Sequence, residues 1–233
     1  MIPLTPSWGY SMLRSSWRTD MRSELGDSGG TPLWATADLN RWLNEAIRDY
    51  SRAIPAESST TIATVTSQAT YAIPSGLKDI IRVEHPVNVY RTYQPRTAGE
   101  YRLTTSYPTP VAERVAGGYA YEVYAGQLVL EPAPTASSET ITLWYTATRA
   151  EPTADTDPLP VPGEDVELLT WFVAGRALGW IGTQEGKRQA YERQRGAEAG
   201  GMRNYYGAMY EAGLLKRTRT RTTAPRRLEI VDR

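Results

Sequence analysis

Few residues of this chain could do chemistry. There is one histidine, His85, at the end of a predicted strand, and there is no cysteine. A single histidine without cysteine cannot form a protein zinc site by itself, and no nucleophile elbow between a strand and a helix supports a nucleophile–histidine pair, since GDSGG does not follow a strand. We therefore expect His85 to be a structural or surface residue.

Two acidic pairs are the remaining candidates for a catalytic or metal site. Asp155 and Asp157 lie in a proline-rich segment, where carboxylates typically start turns. Glu164 and Asp165 open a predicted helix, where the positive end of the helix dipole favours acids. The stretch GDSGGTP lacks the Lys-Ser/Thr of a phosphate-binding loop. The sequence accordingly predicts no enzyme, no cofactor and no metal site.

Charge is unevenly distributed along a chain that is neutral as a whole, with 26 basic and 26 acidic residues. From Lys216 onward there are seven bases and two acids, a net charge of +5, so the preceding residues carry −5. No apolar run approaches the roughly 18 residues of a membrane span. Tyr and Trp number 15 and 7 against one Phe, a usage typical of interfaces. We expect a soluble protein with an acidic body and a basic tail.

Helical periodicity dominates residues 1–56. Apolar side chains recur every four residues up to Leu25 and predict a helix that ends at Gly26. A second apolar stripe runs from Leu39 to Ile54 and predicts a longer helix. These are the N-terminal helices of a predicted bundle.

The period changes to two in residues 57–150, which predict an inserted β-domain of about five strands. YAYEVYAGQLVLEP predicts a hairpin that turns at Ala125-Gly126, and STTIATVTS with ATYAIPS predicts a second hairpin. The weak pattern of residues 87–118 is typical of a long loop or irregular arm.

Residues 151–215 return to helices that complete the bundle. A proline-rich connector leads to a helix that is apolar on most sides, and then to a longer polar helix with a predicted break at Gly200-Gly201. A Tyr/Met stripe follows this break, and it favours either packing against its own bundle or a partner site. The stripe consists of Met202, Tyr205, Tyr206, Met209 and Tyr210.

Residues 216–233 predict a basic, extended tail. Arginine alternates with threonine in a strand-compatible pattern, and a short apolar patch follows Pro225. Such a segment is disordered alone and becomes ordered when it adds to a sheet edge or groove of a partner. The residues expected to dock are Lys216, Arg217, Arg219, Arg221, Arg226, Arg227, Leu228, Ile230 and Val231. The predicted fold class is α+β: a mainly antiparallel four-helix bundle with an inserted small antiparallel β-domain and an extended C-terminal tail.

The order of these elements resembles a known family. The helix end MRSELGD, a loop with Trp34 and the helix LNRWLNEAIRDYSRAIP resemble the opening of tailed-bacteriophage head-to-tail adaptor proteins. YAIPSGLKDIIRVEH, GQLVLEPAP with ITLWYTA, and DTDPLPVPGEDVELLTWFVAGRAL resemble the rest. The resemblance covers roughly Ser11 to Leu215.

This resemblance implies a structural virion protein at the neck, made in the host cytoplasm. Such adaptors form a ring, usually of twelve copies, beneath the portal protein, and their β-domains meet tail or neck proteins. Their C-terminal tails dock onto the portal. Four residues of the Tyr/Met stripe are then a candidate ring interface: Tyr205, Tyr206, Met209 and Tyr210. DNA is expected to pass through the channel without specific binding, since an acidic wall does not hold phosphate.

Two other functions fit parts of the sequence. A nucleic-acid-binding protein could use the basic tail as an arm, although the tail has no aromatic residue to stack on bases. A carbohydrate- or receptor-binding module could use the Tyr/Trp-rich β-region, which would leave the helices unexplained.

Overall fold

The computed structural model describes residues 12–27, 32–84, 92–95, 120–196 and 199–223, without the side chains of 92–95, Ala120, Gln194 and 220–223. The chain forms two compact units. We call them the helical unit (Met1–Pro55 with Arg149–Arg233) and the β unit (Ala56–Thr148). No helix in the described part of the chain is both long and apolar enough to cross a membrane.

The architecture is a mixture of α and β structure. In its described residues the helical unit has five α-helices: α1 (Arg14–Leu25), α2 (Thr36–Ala53), α3 (Val166–Ile181), α4 (Glu185–Arg195) and α5 (Ala199–Thr223). A single 3₁₀ turn, Gly163–Asp165, leads into α3.

The expected four-helix bundle therefore differs from the structure, because the fourth predicted helix is two helices. The break lies at Gly196, which follows α4 with a φ of 63°, and not at Gly200-Gly201, which lie in the first turn of α5. A left-handed residue after a helix favours glycine, which explains Gly196 as a terminator. Glycine near the start of a helix lowers only the intrinsic helix propensity, so α5 tolerates Gly200 and Gly201 in its first turn.

Helix α3 is the centre of the helical unit, since it packs against α1, α2, α4 and α5. Its buried residues occur on several faces and not on one stripe, as its continuous apolar sequence predicts. Two tryptophans fix neighbouring segments to it. The indole Nε1 of Trp17 in α1 donates to Thr170 Oγ1 at 3.1 Å, and that of Trp34 donates to the carbonyl of Ala177 at 3.1 Å.

The two N-terminal helices bury the stripes that their sequences predict, except for Leu13, which lies four residues before Trp17, precedes α1 and is 41% exposed. In α1 the buried apolar residues are Trp17, Met21 and Leu25, and Gly26 ends the helix with a φ of 69°. In α2 they are Leu39, Trp42, Leu43, Ala46, Ile47 and Tyr50.

The β unit contains seven strands in its described residues: β1 (Ala56–Ala63), β2 (Thr70–Ala72), β3 (Leu77–Glu84), β4 (Thr92–Pro95), β5 (Ala120–Tyr124), β6 (Gln127–Glu131) and β7 (Thr140–Ala147). They form two antiparallel groups, β1-β7-β3 and β5-β6-β2. Strand β4 joins the groups, antiparallel to β3 and parallel to β5 over two residue pairs.

One predicted hairpin is confirmed and the other is wrong. Strands β5 and β6 pair across Ala125 and Gly126, whose positive φ angles of 49° and 74° suit a two-residue hairpin turn. Strands β1 and β2 do not pair with each other, because β1 pairs with β7 and β2 pairs with β6. Alternation predicts a strand but does not select its partner. Strand β7 matches all eight residues of β1, whereas β2 has only three.

The β unit has its own apolar core. Alternation along β7 buries Ile141, Leu143 and Tyr145, while Trp144 between them is 39% exposed. The remaining buried members come from β2, β3, β5 and β6: Tyr71, Val83, Tyr121, Leu128 and Leu130. Each of the two units therefore has a separate apolar core.

Candidate functional site

Helix α5 carries most of the described residues that the sequence predicts to be functional. The prediction of an extended tail is wrong for residues 216–223, because these residues continue α5 to Thr223. Arginine and lysine are good helix formers, and strand-like alternation has little effect where no sheet is available. The hydroxyl of Thr218 donates to the carbonyls of Leu214 and Leu215, so this threonine is satisfied within the helix.

The Tyr/Met stripe of α5 divides into an inner and an outer part. Tyr206 and Tyr210 are buried, and their hydroxyls donate to Glu24 Oε1 at 2.5 Å and to Asp49 Oδ2 at 2.7 Å. Burial, and next the hydrogen bond to a carboxylate, raise the pKa of both phenols well above the ordinary value. These two side chains therefore bind α5 to α1 and α2 and are not on the surface.

The outer part of the stripe remains available to a partner. Tyr205 is 55% exposed, and Met209 is half-buried. Of the four residues that the sequence suggests for a ring interface, these two still have surface to offer.

Arg217, an expected docking residue, is held by the helical unit itself. Its Nε lies 2.7 Å from Asp165 Oδ1, and its Nη1 lies 3.4 Å from Glu164 Oε1. Asp165 is almost fully buried and also accepts a hydrogen bond of 2.6 Å from the hydroxyl of Tyr50. Arg217 thus offsets a buried carboxylate, which explains why a basic residue stands at this turn of α5.

The same network continues to the point where the chain re-enters the helical unit. The guanidinium of Arg149 lies 5.1 Å from the centre of the Tyr50 ring. It donates to the carbonyls of Ile54 at 3.3 Å and Pro160 at 2.7 Å. Arg149 therefore fastens the end of α2 to the segment that precedes α3.

The other expected docking residues are only partly covered by the structure. Lys216 and Arg219 lie in α5 and are exposed, and Arg221 lies in the last turn of the helix. The predictions for Arg226, Arg227, Leu228, Ile230 and Val231 fall outside the described residues.

The acidic residues with possible chemistry have structural partners. Asp155 forms a two-pronged ion pair with Arg18, at 2.8 and 2.7 Å, and this hydrogen-bonded pair holds the pKa of Asp155 below its ordinary value. Asp157 Oδ2 accepts the backbone N–H groups of Ala154 and Thr153, each at 2.7 Å, which lowers its pKa likewise. The described residues contain no cluster of three or more His, Cys, Asp or Glu side chains that could hold a metal ion. His85 lies outside the described residues.

The sequence did not predict that the segment with Asp155 and Asp157, the acidic segment, attaches to α1. The carbonyls of Asp157 and Asp155 accept the N–H groups of Arg14 and Ser15, at 3.0 and 3.1 Å, so they satisfy the start of α1, where no side chain caps the helix. Arg18 reaches Asp155 across 137 positions of sequence. No local signal could have paired residues so far apart.

The described part of the chain thus combines a helical unit that displays a basic helix, α5, with a separate β unit. The sequence model of the SU10 adaptor protein family matches residues 14–228, so the chain belongs to that family. It is therefore a bacteriophage adaptor protein, a component of the virion. No curated protein matches the sequence significantly.

Proposed function

We propose that the protein forms a ring of about twelve copies beneath the portal protein and connects the capsid to the tail or neck. Adaptor family membership supports an association with portal and tail proteins. In this proposal the helical units meet around the ring, the β units meet the tail-side partner, and DNA passes through the centre.

The observation that supports docking through the C-terminal residues is the position of the end of α5 relative to the apolar core of the helical unit. Tyr210 is the last buried residue among the described side chains of α5; Leu214 still packs against the core as a half-buried residue, and none of the side chains from 211 to 219 is buried. Arg217 fixes the direction of the helix on Asp165, and beyond it the helix continues to Thr223. Because Arg217 is held on Asp165 and α5 continues past it to Thr223, the residues that we propose to dock follow in the chain from a position fixed on the helical unit.

The charges of the chain support the same two roles, a body around the DNA channel and a C-terminal end that docks on the portal. The residues before Lys216 carry −5 and those from Lys216 onward carry +5. Guanidinium groups form paired hydrogen bonds with carboxylates, so an acidic portal surface suits the basic end. An acidic body has little affinity for DNA, as a channel wall requires.

The test is truncation after Thr223, which keeps α5 and the Arg217–Asp165 ion pair. The shortened protein should retain the circular dichroism spectrum and unfolding midpoint of the full chain but should not co-sediment with portal rings of the same phage. A matched control is the full-length variant Arg193→Gln, which changes an exposed arginine of α4. Undiminished binding of the truncated protein would show that residues 224–233 do not anchor it.

The nucleic-acid arm remains the competing interpretation of the same basic helix. It predicts a DNA mobility shift whose affinity falls steeply between 50 and 200 mM salt, on the order of 10³-fold or more for six phosphate contacts. The adaptor proposal predicts that full-length protein binds portal at 150 mM salt and shows no shift of duplex DNA under the same conditions.

A further inference from the structure

A second feature of the helical unit lies away from the basic end of α5. An open cleft of about 580 Å³ lies where the end of α3, helix α4 and the start of α5 meet. Its lining includes two arginines and one acid, Arg188, Arg203 and Glu192, with Gly179, Gly182 and Gly200 among the wall residues. The glycines leave backbone exposed to whatever enters the cleft.

Arg203 is an arginine without a partner among the described residues. No ion pair or hydrogen bond joins it to any described side chain or carbonyl group, although it lies in a unit whose surface carries many acids. It lies close against α3, since a Cβ built on Gly179 would come within 3.3 Å of Arg203 Nε. The glycine therefore lets the guanidinium lie along the cleft wall.

Arg188 is also poorly satisfied. Its side chain is 43% exposed as a whole, but its Nε is shielded from solvent and has no hydrogen-bond acceptor, and the carboxylate oxygen Glu192 Oε1 is 3.9 Å away. A distance of 3.9 Å is too long for a hydrogen bond. Polar groups shielded from water nearly always have partners, so this arrangement calls for one that is absent from the isolated chain.

We propose that this cleft binds a single carboxylate, an aspartate or glutamate side chain on an exposed segment of a partner protein. Among the described lining residues, two guanidinium groups and one carboxylate give a net charge of +1, which one carboxylate neutralises. Arginine binds carboxylates through two parallel hydrogen bonds. The start of α5 lies at the same place, and the positive end of its dipole adds to the attraction.

The lining favours a carboxylate over a phosphate or a DNA strand. A phosphate monoester carries up to two charges, and the second would be repelled by Glu192 next to Arg188. A duplex brings many phosphates toward a body of net charge −5, so the local attraction would compete with a general repulsion. This inference does not depend on ring formation or on the docking of α5.

The experiment uses the full chain and the side-chain Nε–H resonances of its arginines in a ¹H–¹⁵N spectrum. The probe is a capped hexapeptide of Gly and Ser with one Glu, and the matched probe has Gln in its place. The Glu peptide should shift the Arg188 and Arg203 resonances with saturation, and the Gln peptide should not. Arg203→Gln should weaken the affinity about tenfold, as expected for the loss of a charge-assisted hydrogen bond.

Arg193→Gln, an exposed change on α4 outside the cleft lining, is the control and should bind the Glu peptide as the unaltered chain does. Arg203 is exposed and unpaired in the described structure, so Arg203→Gln should leave the unfolding midpoint unchanged. Equal shifts with both peptides, or no shift up to the solubility limit, would overturn the proposal. Tighter binding of inorganic phosphate, or of a short DNA duplex, than of the Glu peptide would overturn the choice of a carboxylate.

Discussion

Single residues decide where α5 is fastened. Arg217 is the only described cation within ion-pair distance of the buried Asp165, so Arg217→Ala leaves that carboxylate with the Tyr50 hydroxyl alone. We expect the free energy of unfolding to fall by about 1–3 kcal/mol, the cost of an unsatisfied buried polar group. Urea denaturation of both proteins at pH 7 measures this.

Glu164→Ala is the control for that variant. Glu164 is 67% exposed and lies 3.4 Å from the same arginine, and exposed ion pairs contribute about 0–1 kcal/mol. Equal losses for Arg217→Ala and Glu164→Ala would mean that the buried carboxylate does not depend on Arg217.

Acid should weaken the attachment of the acidic segment to α1. The pKa values of Asp155 and Asp157 are lower in the folded protein than the ordinary 3.8. The stability they contribute is therefore present above pH 3.8 and is lost as the pH falls through the lower folded values. Between pH 5 and pH 3 the unfolding midpoint of Asp155→Asn should fall less than that of the unaltered chain.

Asp20→Asn is the matched control for the pH measurement. Asp20 is an exposed carboxylate on α1, the helix that carries Arg18, and the described residues offer it no ion pair. Its variant should follow the unaltered chain at every pH. If Asp155→Asn also follows the unaltered chain, the Arg18–Asp155 pair does not contribute to acid sensitivity.

For single residues, the sequence predicted the structural role of a carboxylate better than it predicted the side chain that pairs with it. It predicted that the Asp155/Asp157 and Glu164/Asp165 pairs have structural roles, and the structure gives each of these carboxylates a structural partner. It could not indicate Arg18 or Arg217 as those partners. Ion pairs between residues distant in sequence follow from tertiary packing, which local patterns do not encode.

At the scale of elements, the contact between α3 and α5 depends on small residues. A Cβ built on Gly213 would overlap Leu168 Cδ2 and lie 3.1 Å from Trp171 Cζ3. Gly213→Val should therefore destabilise the protein by about 1–3 kcal/mol through overpacking. Thermal unfolding followed by circular dichroism measures this.

Gly207, in the same helix, is the matched position where a Cβ meets nothing within 4 Å. Gly207→Ala should stabilise the protein by up to about 1 kcal/mol, because alanine favours a helix over glycine. A stabilising effect at Gly213, or a large loss at Gly207, would contradict this description of the α3–α5 contact.

Helices and turns with a strong local sequence pattern could be predicted. The pairing of strands, which depends on residues distant in sequence, could not. Apolar stripes placed α1, α2 and α3, and two turn residues placed the β5–β6 hairpin. The pairing of β1 with β7 could not be predicted, because 77 positions separate the closest pair of these strands, Ala63 and Thr140. The arginine–threonine alternation gave a wrong prediction of extended structure for residues 216–223, because helix α5 is already nucleated and continues through them.

For the whole molecule, we expect the helical unit to fold without the β unit. Its two chain segments are fastened together by Arg149, which donates to the carbonyl of Ile54 at 3.3 Å. The β unit begins and ends at paired residues, since Ala56 pairs with Ala147. Replacing residues 56–148 by a short Gly/Ser linker should leave a cooperative helical protein by circular dichroism and urea unfolding.

The linker variant also separates the roles of the two units. If α5 and the residues after it dock on the portal, the variant should still co-sediment with portal rings and should lose the tail-side partner. Failure to bind portal, with the helical unit folded, would place the docking surface in the β unit.

The mass of a portal ring mixed with the full chain, measured by native mass spectrometry, tests the central claim most directly. Alone at micromolar concentration the chain should have the mass of a monomer, 25.9 kDa. The portal ring should gain the mass of twelve copies and no partial complements at saturation, because ring closure requires every interface at once. A portal mass that does not change, or a gain that saturates at a few copies, would contradict the adaptor ring.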